Sequence, residues 1–242
     1  MTAIQIRGLT KKYKDVIAVN NLSLDIEDGE LFSLLGVNGA GKTTTIKMLS
    51  CLTRADSGDA TILGESITKN PTAVKSLIGV SPQETAVAAA LSAKENLELI
   101  CGIYGFDKEK TNEKISELTS LLGLESIISR KAGKLSGGWQ RRLSIAMALI
   151  SQPRVLFLDE PTLGLDVIAR AELWDIIRAL KGKVTIIMTT HYMEEAEALS
   201  DRVAIMKDGR LLICDTPERI KENSGAENFE QAFVRIVRGI VR

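Results

Sequence analysis

The run Gly36-Val37-Asn38-Gly39-Ala40-Gly41-Lys42-Thr43, continued by Thr44, matches G-x-x-x-x-G-K-[ST] along its whole length. The chemistry of that pattern is capture of a polyphosphate. Its glycines let successive amides turn inward, and the helix expected to open at its end adds roughly half a positive charge. Lys42 reaches the outer phosphates, and the Thr43 hydroxyl is a ligand for Mg2+. A second constellation is the acid pair Asp159-Glu160, directly behind the apolar run Val155 to Leu158. The first carboxylate at such a place holds a metal, commonly through water, and the second orients and deprotonates an attacking water. A third is Leu135-Ser136-Gly137-Gly138-Trp139, followed by Arg141 and Arg142. A serine cap, two glycines and open amides read as a second anion-binding helix start.

These groups need elements to hold them. Leu31 to Leu35 stands before the glycine loop and the helical run Thr44 to Leu49 after it, giving the order strand, loop, helix. Leu31 to Leu35, Val155 to Leu158 and Val184 to Met188 are short apolar runs, each followed by a turn and a helical pattern, as buried parallel strands would be. Sheets of that kind bind ligands at the carboxyl ends of their strands. Ile4 and Ile6, then Leu22, Leu24 and Ile26 before Asp28-Gly29, predict antiparallel strands at the N-terminus. From about Gln83 to Ser151 helical segments take over, at Lys94 to Tyr104, Lys108 to Leu122 and Trp139 to Ile150. The stripe Leu173, Trp174, Ile177 and Leu180 predicts a further packed helix. Strand signals return at Val203 to Met206, the turn Asp208-Gly209 and Leu211 to Ile213.

The predicted fold is therefore α/β. Residues 1–83 and 152–217 form the core with an N-terminal antiparallel β subdomain, and 84–151 form an inserted helical subdomain carrying the Ser136 motif. Residues 218–242 form a helical tail. Its stripe of Phe229, Ala232, Phe233, Ile236, Val237 and Ile240, with Arg235, Arg238 and Arg242 off it, predicts an amphipathic helix packed on its own domain.

The composition narrows the class. With 242 residues, 45% of them apolar and 26% charged, the chain is globular rather than disordered or fibrous. Basic and acidic residues balance at 31 each, so no general phosphate-coating surface, and no nucleic-acid partner, is expected. Cys51, Cys101 and Cys214 are odd in number and lack a C-x-x-C pair, which argues against a disulfide framework and a zinc site. The N-terminus has no apolar targeting core, and no apolar run approaches the roughly 18 residues of a membrane span. Work at a membrane would need another chain to cross it.

Taken together and in order, the motifs resemble the ATP-binding subunit of an ATP-binding-cassette (ABC) transporter, from about Ile4 to Pro217. The family's remaining motifs fall in sequence: Tyr13 at the adenine position, Gln83 in SPQE, Asp166 in PTLGLD, and His191 after VTIIMTT. The resemblance implies a P-loop NTPase (RecA-like) core, with ATP and Mg2+ bound. Tyr13 would stack on adenine, and Gly36, Val37, Asn38, Gly39, Ala40, Gly41, Lys42, Thr43 and Thr44 would hold the phosphates. Thr43, Gln83 and Asp159 would serve the metal, Glu160 would activate water, and His191 would sense the terminal phosphate. Ser136, Gly137 and Gly138 would complete the nucleotide site of a second cassette, identical or not, and Asp166 would be a further nucleotide-site residue. Membrane-spanning transporter subunits would dock near Gln83 and the segment Glu84 to Leu91, which implies a cytoplasmic chain held at the membrane's cytoplasmic face by that partner.

The wording LGVNGAGKTTTIKML and GGWQRRL is similar to the export-type branch that includes drug-resistance ATPases. Trp139 departs from the commonest signature, which has glutamine there. A rival within the family, a soluble ATPase acting on ribosomes or DNA, would usually bring two fused cassettes or long heptad coils, and the sequence has neither.

Overall fold

The computed structural model describes residues 1–240. The chain divides into two compact units, one of residues 1–77 together with 181 onward, the other of residues 78–180.

The first unit opens with β1 (Thr2–Tyr13) and β2 (Val16–Glu27), paired antiparallel with Ile6 opposite Leu24 and Tyr13 opposite Val16. Period-two alternation buries Ile4, Ile6, Leu22, Leu24 and Ile26, as the sequence predicts. Beyond Asp28-Gly29 the chain enters β3 (Leu31–Leu35), buried at every residue, and then α1 (Lys42–Leu49). Next come β4 (Ser57–Ile62), β5 (Glu65–Ser66) and α2 (Pro71–Leu77). β4 pairs antiparallel with β1, and β5 with β4, giving a sheet in the order β2-β1-β4-β5.

The second unit contains β6 (Ile78–Ser81), α3 (Ala93–Ile103), α4 (Lys108–Leu122), α5 (Gly137–Leu149), β7 (Val155–Asp159) and α6 (Val167–Leu180). β6 and β7 run parallel with Ser81 beside Leu158. Local chemistry sets the helix ends. Ser92 and Glu95 form a reciprocal capping box at α3, Asp107 caps α4, and Gly123 in the left-handed region stops it. α6 buries Leu173, Ile177 and Leu180, while half-buried Trp174 lies 5.8 Å from the guanidinium of Arg170 and equally far from that of Arg178.

The chain then returns to the first unit through β8 (Thr185–Thr190), α7 (Met193–Leu199), β9 (Arg202–Lys207), β10 (Arg210–Asp215), α8 (Pro217–Ser224) and α9 (Phe229–Val237). β3 lies between β8 and β9 and parallel to both, and β10 pairs antiparallel with β9. α9 packs on its own unit. Phe229, Ala232 and Phe233 enter a cluster with Leu35, Ala196, Val203, Ile205 and Ile220. The helix is shorter than the apolar stripe suggested. Lys207 Nζ donates to Val237 O at 2.8 Å, Gly239 turns to φ +70°, and Ile240 stands outside the helix at 65% exposure. Arg242 lies outside the described residues. Among the described residues no helix is long and apolar enough to cross a membrane.

Candidate functional site

The glycine loop runs from the end of β3 into α1 and is shaped by close approach. Gly41 has φ +100°, and a Cβ there would fall 2.3 Å from Ala18 O of β2, so only glycine fits. Gly209 N donates to Ala40 O at 3.2 Å, fixing the loop from a second side. The first-turn amides of α1 have no intrahelical carbonyl to meet, and the helix dipole adds positive potential at the same end. Lys42 is buried, and its Nζ arches back to Gly36 O (2.7 Å) and Val37 O (3.3 Å). Val37, Asn38 and Gly39 are exposed, while Thr43 and Thr44 are half-buried at the start of α1. Thr45 is spoken for, its hydroxyl donating to Gly41 O at 2.9 Å.

Two other predicted residues join this loop in the first unit. Thr190 is the register partner of Leu35, so His191, the next residue, emerges at the strand edge from which Gly36 leaves. Its ring packs on Tyr192 with centroids 4.2 Å apart. Tyr13 ends β1 at 45% exposure beside exposed Val16 and Ile17, with the Lys11 ammonium 5.4 Å from its ring. Ala18, whose backbone oxygen closely approaches Gly41, follows directly, so the ribbon that carries Tyr13 passes beside the phosphate loop.

In the second unit the parallel register of β6 and β7 brings Gln83, two residues past Ser81, to the same edge as Asp159. Asp159 and Glu160 are buried, at 5% and 8% exposure. Glu160 holds φ +46°, a conformation few residues with side chains adopt. Gln83 is exposed, and its backbone oxygen accepts from Arg141 Nη2 at 2.6 Å.

Ser136 precedes α5 and is exposed, as is Gly137, but the serine hydroxyl does not cap the helix, contrary to the sequence expectation. Asp166 does cap: its Oδ1 accepts from Ala169 N at 2.9 Å at the start of α6. The two helix starts lie together, since a Cβ on Gly138 would come 3.1 Å from the Ala169 methyl.

The two arginines that follow the motif are both engaged within the protein. Arg142 forms an ion pair with Glu172 and stacks on the Trp139 indole at 4.6 Å, so its charge is already engaged. Arg141 is 5% exposed and bonds Pro82 O and Gln83 O. Burial draws its guanidinium below the ordinary value, and the Asp159 carboxylate opposes that shift. Helical spacing held the clue, because Arg141 falls three and four residues before buried Ser144 and Ile145.

The donor sets suit a nucleotide triphosphate and its cation. In the first unit the loop offers amides, an ammonium and the hard oxygen of Thr43, and in the second unit Asp159 offers a hard oxygen of its own. Among the described residues no group of three or more His, Cys, Asp or Glu could form an all-protein cage. Hard oxygens of this kind suit Mg2+, which is commonly held by one or two protein oxygens together with substrate phosphates and water.

A model of the ABC transporter family matches residues 19–163. The daunorubicin resistance ATP-binding protein DrrA2 of Streptomyces coeruleorubidus is 38% identical over 94% of this chain and 71% of its own length. The Nod factor export ATP-binding protein I of Rhizobium sp. (strain N33) is 40% identical over 99% of this chain and 82% of its own. The dimeric structure of a post-hydrolysis state of the ATP-binding cassette MJ0796 bound to ADP and Pi superposes with TM-score 0.80 at 26% identity, covering 88% of this chain and 98% of that one.

Proposed function

The chain belongs to the ABC transporter family and is an ATP-binding, ATP-hydrolysing subunit of that kind; from that premise we propose that it works as one half of an ATP-bridged pair that drives export through membrane-spanning subunits. The observation that carries the pairing is Ser136: exposed, ahead of open first-turn amides, with a hydroxyl that does not serve its own helix. Such a group suits a phosphate presented by another chain. The relatives' names, one for daunorubicin resistance and one for Nod factor export, support the export direction. Docking on membrane-spanning subunits would place the chain at the cytoplasmic face.

In this reading Tyr13 covers adenine, while the amides of Gly36 to Thr44 and the Lys42 ammonium hold the phosphates. Bound Mg2+ neutralises phosphate charge, and Thr43, Asp159 and Gln83 are the residues that would hold it. Glu160 accepts a proton from water as the water oxygen bonds the terminal phosphorus and the bond to the bridging oxygen of ADP breaks. His191 and Gln83 contact that terminal phosphate. Ser136, Gly137 and Gly138, with Asp166 beside them, close over the nucleotide of the partner cassette, and hydrolysis lets the halves part.

Glu160→Gln separates chemistry from assembly, because the amide keeps shape but cannot take the proton. Turnover should fall by roughly 10²–10⁴ while ATP binding survives. With ATP the variant should run as a dimer in size-exclusion chromatography with light scattering, and adding Ser136→Arg should return it to monomer. A Glu160→Gln protein that stays monomeric at saturating ATP, both alone and in the transporter complex, overturns the pairing.

A further inference from the structure

Arg141 has no place in the chemistry above, yet it is a buried cation on the helix that opens with Ser136. Its Nη1 donates to Pro82 O at 2.5 Å and its Nη2 to Gln83 O at 2.6 Å, so one planar fork spans two successive carbonyls. A fork of this kind fixes direction as well as distance, which a single-point donor cannot do. No carboxylate among the described residues forms an ion pair with it, and the charge that partly compensates it is the Asp159 carboxylate at the end of β7.

The other end of the same segment is fastened too. Ala132 N donates to Leu91 O at 2.8 Å and Gly133 N to Ala89 O at 3.0 Å, from the turn that leads into α5. Asn96, fully buried on α3, accepts from Ala88 N at 2.7 Å. Residues 82–91 are therefore tied at their start to α5 and at their end to the approach to α5.

We infer that Arg141 is a positioning residue that couples the backbone of Gln83 to the helix presenting Ser136, Gly137 and Gly138, so that the two nucleotide-facing groups of residues 78–180 move as one. The inference rests on the roles given to Gln83 and Ser136 under the proposed function. Since Gln83 lies at the segment proposed to receive the membrane partner, a push on residues 84–91 passes through two carbonyls to the helix that must engage the second cassette. The residue acts through Gln83 and not on the nucleotide.

Arg141→Lys keeps a cation but loses the fork. It should lower kcat about tenfold with KM for ATP unchanged within about twofold, because displacement of positioning groups by a fraction of an ångström costs rate before it costs binding. Arg141→Gln, which donates to one carbonyl without a buried charge, should show the same split and guards against a folding defect in the lysine variant. In a Gln83→Ala background Arg141→Lys should reduce kcat by less than about twofold further, since residues acting through one another are non-additive. Wild-type kcat in both Arg141 variants, or full additivity with Gln83→Ala, overturns the coupling. Glu160→Gln in the same assay separates the two levels. If that variant keeps turning over, the hydrolysis reading fails; if it is inactive while Arg141→Lys is fully active, the coupling alone fails.

Discussion

Replacing Phe229 by alanine should loosen the first unit while leaving the phosphate loop able to bind nucleotide. Phe229 is 1% exposed and shares its cluster with Phe233, Leu35, Val203, Ile205 and Ile220. Truncating a buried phenylalanine to alanine costs about 3–5 kcal/mol, part from lost transfer and part from the cavity left behind. In a chain of this size each kcal/mol moves Tm by about 2–4 °C, so the variant should melt roughly 10 °C lower. Phe233→Ala added to it should cost less than its separate effect, because both rings line one cavity. Leu35 is in that cluster and directly precedes Gly36, but the loop is braced elsewhere by Ala18 against Gly41 and by Gly209 N on Ala40 O. Deletion of everything after Gly225 should therefore lower Tm further and still leave ATP binding. Thermal melts by circular dichroism, with titration of a fluorescent ATP analogue well below the transition, provide both readouts. An unchanged Tm for Phe229→Ala would show that α9 carries no packing; a folded truncation that cannot bind ATP would show that the loop needs the tail.

Lys42→Ala should abolish hydrolysis and weaken ATP binding by roughly 10–100-fold, the worth of a charged hydrogen bond. Full ATPase activity would remove the loop from the mechanism. Glu95 accepts from Ser92 N at 2.7 Å and from the Ser92 hydroxyl at 2.8 Å, bonds that hold its carboxyl below the ordinary carboxylate range. A folded-state value below the unfolded one contributes stability above the unfolded pKa and loses it as pH falls through the folded one. Glu95→Gln should thus be less stable than the parent in urea titrations at neutral pH, with the gap closing in acid; a gap that ignores pH would refute the assignment.

Elements with strong local determinants were legible in the sequence. Leu31 to Leu35 and Lys108 to Leu122 were read to the residue, because the strand is apolar at every position but Ser33 and the helix has Asp107 and Gly123 at its ends. β4 was missed. Its sequence Ser-Gly-Asp-Ala-Thr-Ile has only Ala60 and Ile62 buried, and it is a strand because β1 offers an open edge. α2 was missed for brevity, at seven residues too few for periodicity to register, whereas α7, equally short, follows Val184 to Met188 where a helical pattern is expected. The glycine loop and the acid pair were legible because their chemistry is encoded in contiguous residues. The fates of Ser136, Arg141 and Arg142 were not, since whether a hydroxyl caps its helix or a guanidinium turns inward depends on partners at Pro82 and Glu172 far along the chain.

The left-handed backbone of Glu160 sets two properties of the protein against each other. An L side chain held at φ +46° costs about 1–2 kcal/mol relative to a relaxed conformation, a cost that glycine escapes and asparagine reduces. A screen that rewards only survival of heating would enrich those two residues at position 160 and discard the group assigned to water activation. Any program to harden this protein for practical use therefore has to hold position 160 fixed and look for its gains elsewhere.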